Sequence, residues 1–339
     1  MPKTRHLFTL YPRLADKLSP CDFTDTPTAV ERLKSEEAPE LWIKRDDLSS
    51  PEYGGNKTRK LEFVLGEALG KGKRRIVTFG GLGSHHGLAT AFHARKIGIQ
   101  CEILLFDQPW LPGVALNMQR MKEQGAILRR TGNLASTFVA WRIHPRRLRQ
   151  DTSFLYAGAS SPLGMLAYVD AAFELAAQIR SGELPEPETL YCATGSGGTL
   201  AGLTLGCALS GLNTQVHGVA AMPQKYGPFT ALSAPAVQQL MHRTWRYLRS
   251  LDASIADRPL PKVILHQGYV GRGYGIPTNA GKQAMSLAAR AGLALDPTYT
   301  AKGFAAALDA SRKQRGPVLF WHTLSANQPD TIYGDIGTN

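Results

Sequence analysis

Apolar residues along this chain follow two rhythms. Short runs such as Leu41-Trp42-Ile43, Ile76-Val77-Thr78-Phe79 and Cys101-Glu102-Ile103-Leu104-Leu105-Phe106 read as buried strands. Between them lie longer stretches with apolar positions at steps of three and four, such as Leu61, Val64, Leu65 and Ala68, which read as helices. The pattern predicts strands over 41–45, 75–79, 101–106, 126–129, 153–157, 189–194, 214–220, 262–266 and 317–321. It predicts helices over 56–71, 85–97, 114–124, 162–180, 199–209, 229–250, 278–292 and 302–314. Strands that alternate with helices and are apolar throughout imply mostly parallel sheets covered on both faces. So many strands exceed one ordinary open sheet, and two α/β domains are expected. No internal repeat or low-complexity linker interrupts the pattern; the stretch 181–188 is the clearest polar loop.

Composition agrees with this picture. At about 150 residues per domain, 339 residues suit one large domain or two ordinary ones. Hydrophobic residues make up 43% and charged residues 19%, enough apolar material for a real core. The four cysteines, Cys21, Cys101, Cys192 and Cys207, form no Cys-x-x-Cys pair, which disfavours both a disulfide framework and a zinc site. The longest uncharged apolar runs are too short to span a membrane. Residues 1–20 carry charges throughout and do not resemble a secretory signal, so a reduced, cytoplasmic protein is expected.

Lysine and arginine number 39 against 27 acidic residues, a formal charge of +12. Much of the excess sits in two runs, Lys71, Lys73, Arg74, Arg75 and Arg142, Arg146, Arg147, Arg149, which read as solvated faces. No nucleic-acid motif accompanies them and no aromatic residues alternate with the charges, so no nucleic-acid partner is expected. The excess suits attraction of small anions into a basic cleft.

Three loops at predicted strand ends carry candidate chemistry, since ligands in open parallel sheets sit beyond the carboxyl ends of the strands. They are 53–57 (YGGNK), 80–87 (GGLGSHHG) and 194–199 (TGSGGT). In the last, Gly195, Ser196, Gly197, Gly198 and Thr199 open a helix and offer unpaired backbone N–H groups to an anion. The spacing is neither Gly-x-Gly-x-x-Gly nor a P-loop, which points to a cofactor held by one phosphate. Lys57 follows two glycines and Asn56 at a helix start. The helix field and neighbouring cations there disfavour its protonated form, as an imine-forming lysine requires.

Taken together, Lys57 within GGNKTRKLEF, the loop GSGGT and YTAK at 299–302 resemble pyridoxal-phosphate enzymes of the tryptophan-synthase-β fold (fold type II). Within them they resemble the family of 1-aminocyclopropane-1-carboxylate deaminase and D-cysteine desulfhydrase, from about residue 8 to about residue 323. The resemblance implies two open, mostly parallel sheets with pyridoxal 5′-phosphate in the interdomain cleft. It implies a large domain from 1–57 and 161–339, a small domain from 58–160, and a homodimer. Lys57 would hold the cofactor and shuttle the α-proton, and Gly195 to Thr199 would bind its phosphate. Ser84 matches the active-site serine, a nucleophile or a contact for the substrate carboxylate. Tyr269 and Tyr299 match two active-site tyrosines that move protons. Asn56 and His85 flank the cofactor, and Thr300 faces its pyridine nitrogen.

Thr300 stands where the deaminase has glutamate. A hydroxyl supplies no charge to the ring nitrogen, so the weaker electron sink favours β-elimination over opening a cyclopropane. The expected activity is a deaminating lyase that converts a small amino acid with a β-leaving group to a keto acid and ammonia. Ring opening and a non-catalytic amino-acid or cofactor-binding protein are the alternatives, with a racemase or β-replacement synthase a poorer match. Two departures from the family pattern fall where substrate is read. His85-His86 replaces Asn followed by Gln or His, and Leu324-Ser325 replaces paired glycines after His322-Thr323. Adjacent histidines on a helix point about 100° apart, so no shared metal is expected. His93 reads as structural. Asp46 and Asp47 read as partners of Arg45 or as turn caps.

Overall fold

The computed structural model describes residues 5–226 and 229–327. Two main sheets form. The larger runs in the order Val30–Arg32, Leu41–Lys44, Val318–Trp321, Thr189–Thr194, Gln215–Ala220 and Ile264–His266, and only Val30–Arg32 is antiparallel to its neighbour. The smaller runs Ile127–Gly132, Gln100–Phe106, Arg75–Gly81 and Thr152–Phe154, all parallel. The strands of the smaller sheet all fall between residues 75 and 154, and those of the larger lie on either side of that interval. A short antiparallel pair, Lys225–Tyr226 with Phe229–Thr230, begins where the sequence predicted the helix over 229–250; that helix runs Ala234–Leu251. Among the described residues no helix is long and apolar enough to cross a membrane.

The central strands are apolar on both faces because helices cover both. Leu190 and Cys192 of one strand join the cluster under Pro162–Arg180 and Gly198–Ser210. Tyr191, from the other face of that strand, joins the cluster under Asn279–Arg290 and Thr300–Lys313. Two α-helices were not predicted from the sequence, the short His6–Leu10 and Leu134–Arg142 over the smaller sheet; the second bears on the site. Its Leu134, Phe138, Val139 and Trp141 are not confined to one narrow stripe, so the usual amphipathic signal is blurred.

Helix Asn56–Gly70 joins the two layers, packing on both Pro162–Arg180 and His85–Lys96. A buried ionic cluster holds its first turns. Arg59 donates to Asp46 at 2.8 Å and to Glu174 at 2.9 Å, and Lys44 donates to Glu174 at 2.6 Å. Tyr168 and Trp321 complete the shell of Asp46 through its Oδ2 at 2.8 and 2.7 Å. The cluster thus ties helix, strand and loop together with every carboxylate paired, the condition for burying charge. Asp47 pairs with Arg45 at 2.9 Å as expected, whereas Asp46 turns inward to Arg59. His93 is structural, stacked on Phe23 and bonded to Thr58 and the Tyr53 carbonyl.

Candidate active site

The carboxyl ends of strands from both sheets open onto one cleft of about 300 Å³. Two glycine-rich turns and a lysine-bearing helix start meet there, the usual position for a ligand in open α/β sheets.

At three positions of the turn after Thr189–Thr194 there is no room for a side chain. Gly197 has φ +81°, and a Cβ on it would lie 2.5 Å from Val237 Cγ2. A Cβ on Gly195 would lie 2.8 Å from the Tyr299 ring, and one on Gly198 would lie 2.6 Å from Ser160 Oγ. Helix Gly198–Ser210 therefore starts one residue earlier than predicted, behind a run of bare amides. Thr199 Oγ1 accepts from Asn56 Nδ2 at 3.0 Å, and Ser196 shares a 2.6 Å bond with Ser160.

Lys60, which the sequence reading did not single out, lines the same cleft. Its ammonium is buried over the Tyr168 ring at 5.5 Å and has no acceptor oxygen among the described residues. Burial first, then the charge of Lys57, pushes its pKa well below the usual lysine range. A buried lysine amine without a protein acceptor, in the same cleft as a helix start of bare amides, fits a phosphate ester, whose charge would favour its protonated form. These residues would hold pyridoxal phosphate by its phosphate, with Lys57 beside its ring. The periodicity that marks Leu61, Val64 and Leu65 as apolar gave no reason to bury the lysine between them and Lys57.

Lys57 Nζ donates to Asn56 Oδ1 at 2.8 Å, so Asn56 bridges the lysine to Thr199. Burial lowers the Lys57 pKa to about 8, and Asp296 opposes the shift. The direction is that expected from the sequence, but burial is the larger cause rather than the helix field and neighbouring cations. The loop 323–325 braces the backbone that leads into the lysine. The Asn56 N–H donates to the Thr323 carbonyl at 3.1 Å, and the Gly54 N–H donates to Ser325 Oγ at 2.8 Å. Gly55 at φ +80° passes so close that a Cβ would lie 2.6 Å from the Thr323 carbonyl oxygen. Leu324 and Ser325 line the cleft floor.

On the opposite wall, Ser84 caps helix His85–Lys96, its Oγ accepting from the Gly87 N–H at 3.1 Å. The hydroxyl proton has no acceptor among the described residues and remains for a ligand. His85 Nδ1 lies 3.4 Å from the Tyr53 hydroxyl, and burial lowers its pKa, which keeps the ring neutral. His86 bonds Thr78 at 2.8 Å, and burial takes its pKa to about 3. The two rings have separate partners, and among the described residues no group of three or more His, Cys, Asp or Glu is placed to hold a metal.

Tyr299 Oη donates to Tyr274 Oη at 3.0 Å, and both rings line the cleft. Tyr269 does not. Its hydroxyl donates to Asp309 Oδ2 at 2.7 Å and its ring packs against the cluster under Asn279–Arg290. Tyr274, five residues on in the same glycine-rich stretch, occupies the place that the sequence reading gave to Tyr269. Thr300 is 1% exposed, with its proton given to Asp296 Oδ2 at 2.7 Å. The same carboxylate accepts from the N–H groups of Thr298, Tyr299 and Thr300 at 2.9, 2.7 and 3.0 Å. Asp296 was not anticipated; Asp-Pro reads locally as a turn, and its position beside the cleft depends on the fold.

Beyond these polar groups the cleft has an apolar side made by Phe79, Leu134, Phe138, Val139 and Tyr156.

A family model described as pyridoxal-phosphate dependent enzyme matches residues 22–323. The chain is 34% identical over 309 residues to nocardicin C-9′ epimerase of Nocardia uniformis subsp. tsuyamanensis, covering 87% of this chain and 89% of that protein. It is 32% identical over 337 residues to D-cysteine desulfhydrase of Salmonella typhimurium, covering 94% of this chain and 95% of that one. A crystal structure described as an ACC deaminase homologue matches with a TM-score of 0.76 at 28% identity, covering 94% of this chain and 95% of the other.

Proposed function

The chain belongs to the pyridoxal-phosphate-dependent enzymes, in the ACC deaminase and D-cysteine desulfhydrase family of fold type II, and on that premise we propose that it is a deaminating lyase acting by α,β-elimination on an amino acid with a β-leaving group. Bound pyridoxal phosphate supplies an electron sink for negative charge at Cα. Overall the substrate loses its α-proton and β-substituent as HX, and water converts the remaining enamine to a keto acid and ammonia.

Lys57 takes the α-proton; its amine is free at mildly alkaline pH because burial lowers its pKa to about 8. Ser84 and the N–H groups at the start of His85–Lys96 hold the carboxylate. The hydroxyl pair of Tyr299 and Tyr274, in which Tyr299 donates to Tyr274, relays a proton to the departing group. His85 stays neutral and contributes a hydrogen bond rather than a charge.

The observation that carries elimination over ring opening is at position 300. No acid projects from it, and the nearby Asp296 carboxylate is already compensated by four donors. The test compares keto-acid release from D-cysteine, 3-chloro-D-alanine and 1-aminocyclopropane-1-carboxylate. Elimination is expected to be faster; a faster ring opening sinks the reading. Borohydride is expected to fix the cofactor on Lys57, and a label on Lys60 or Lys302 contradicts the assignment.

A second reading, epimerisation at Cα, is supported by the similarity to an epimerase and by two proton carriers, Lys57 and Tyr299, on one cleft. Inversion with deuterium uptake and no keto acid from any of these substrates favours it.

A further inference from the structure

The cleft is chemically divided. Its polar groups come from the strand-end loops, from helix Asn56–Gly70 and from the start of Thr300–Lys313. Its apolar side comes from Leu134, Phe138 and Val139 of one helix, with Phe79 and Tyr156. The rings of Phe79, Phe138 and Tyr156 form a triangle with centroids 5.3, 6.2 and 6.5 Å apart. Phe79 is core, 2% exposed against Trp141. The outer members are not: Phe138, Val139 and Tyr156 are 40%, 52% and 41% exposed. Exposed apolar side chains gathered in a concavity mark a binding surface more often than a surface accident.

The chain path ties this surface to the reacting centre at both ends. Phe79 is followed by Gly80, whose Cβ would lie 2.5 Å from Ser84 Oγ, so the triangle begins next to the serine. Tyr156 leads to Gly158, whose Cβ would lie 2.4 Å from Ser196 Oγ on the anion-binding turn. The apolar side therefore spans the space between the group that holds a carboxylate and the loop that holds a phosphate. A methyl, chloride or free thiol leaves it uncovered.

We propose that the substrate carries a bulky apolar β-substituent, an aryl or branched alkyl group on the leaving sulfur or oxygen, seated against Phe138, Val139 and Tyr156. This rests on the lyase reading for the bond that breaks. The Cβ–X bond opens as the α-proton is lost, X takes a proton and leaves as an apolar thiol or alcohol, and water yields the keto acid and ammonia. The seat itself does not depend on that bond. It predicts preferential binding of any amino acid with an aryl side chain, whether or not it reacts.

The experiment therefore measures binding and turnover separately on the holoenzyme. Calorimetric affinities of both enantiomers of phenylalanine and alanine are compared for wild type, Phe138→Ser and Leu148→Ala. The last is a control on a side chain that is 95% exposed and does not line the cleft. Burying a phenyl group is expected to favour phenylalanine by at least about tenfold. The preference falls toward unity in Phe138→Ser and persists in Leu148→Ala. Equal affinities in wild type, or a preference that survives Phe138→Ser, overturn the proposal. Keto-acid release from S-phenylcysteine and 3-chloroalanine is assayed alongside. Preferential binding with no release refutes the lyase reading and leaves the apolar seat standing; release without preference for the aryl substrate does the reverse.

Discussion

An Asp296→Asn variant is expected to lower the pKa of Lys57 and to cost the chain about 2–4 kcal/mol of stability. Asp296 Oδ1 accepts from the Thr298 and Tyr299 N–H groups, and Oδ2 accepts from the Thr300 N–H and hydroxyl. Asparagine keeps one oxygen and sets an NH₂ against two donors. Two charge-assisted bonds of about 1.5–3 kcal/mol each are lost. Rotation of the Thr300 hydroxyl, which can accept from the new NH₂, recovers part of that. The electrostatic effect has a definite sign. Burial holds the Lys57 pKa at about 8 and Asp296 opposes the shift, so removing the carboxylate moves the pKa further down. The assay is the rate of pyridoxal-phosphate uptake by apoprotein across neutral and alkaline pH, which follows the free amine, together with urea unfolding. A midpoint that stays or rises refutes the electrostatic argument. Unchanged stability refutes the role of Asp296 as a cap.

Other outcomes follow from the same site. The folded apoprotein holds the Lys57 proton less tightly than the unfolded chain does, about 8 against 10.5, so its contribution to stability grows as pH rises through that interval. In Lys57→Met, urea midpoints at the two ends of the interval are expected to differ less than in wild type. Gly197→Ala forces a Cβ into a φ of +81° and against Val237; cofactor affinity measured by fluorescence should fall about tenfold or more, with about 1–2 kcal/mol of lost stability. Tyr274→Phe, which removes one hydrogen-bond partner of Tyr299, should lower kcat by about tenfold or more, whereas Tyr269→Phe loses the bond to Asp309, and its cost should be about 1 kcal/mol in thermal unfolding.

The parts legible in the sequence are those set by local rules. Glycines followed by a helix start specify the turn at 195–198, and two glycines and an asparagine specify the start of the lysine-bearing helix, whatever surrounds them. What escaped depends on the path of the chain. Tyr269 and Tyr274 share one stretch, and the positive φ values of Gly271, Gly273 and Gly275 decide which ring turns into the cleft. No periodicity reports that. Lys60 and the inward turn of Asp46 depend on partners beyond the local turn, Tyr168 and Arg59. The donors to Asp296, by contrast, are two to four residues away, and only its place beside the cleft is set by the fold. The helix Leu134–Arg142 was missed because a helix that packs on a sheet on one side and lines a cleft with Phe138 on another has no wide polar face to set its rhythm.

That nine-residue helix has a further consequence. None of the polar groups to which we assign protons, carboxylate or phosphate stands on it, yet it supplies Leu134, Ala135, Phe138 and Val139 to the cleft lining. Replacements along it alter what fits without moving what reacts. A change of substrate is thus open to substitution within a single surface element, with Lys57, the turn at 195–199 and the Tyr274–Tyr299 pair left in place.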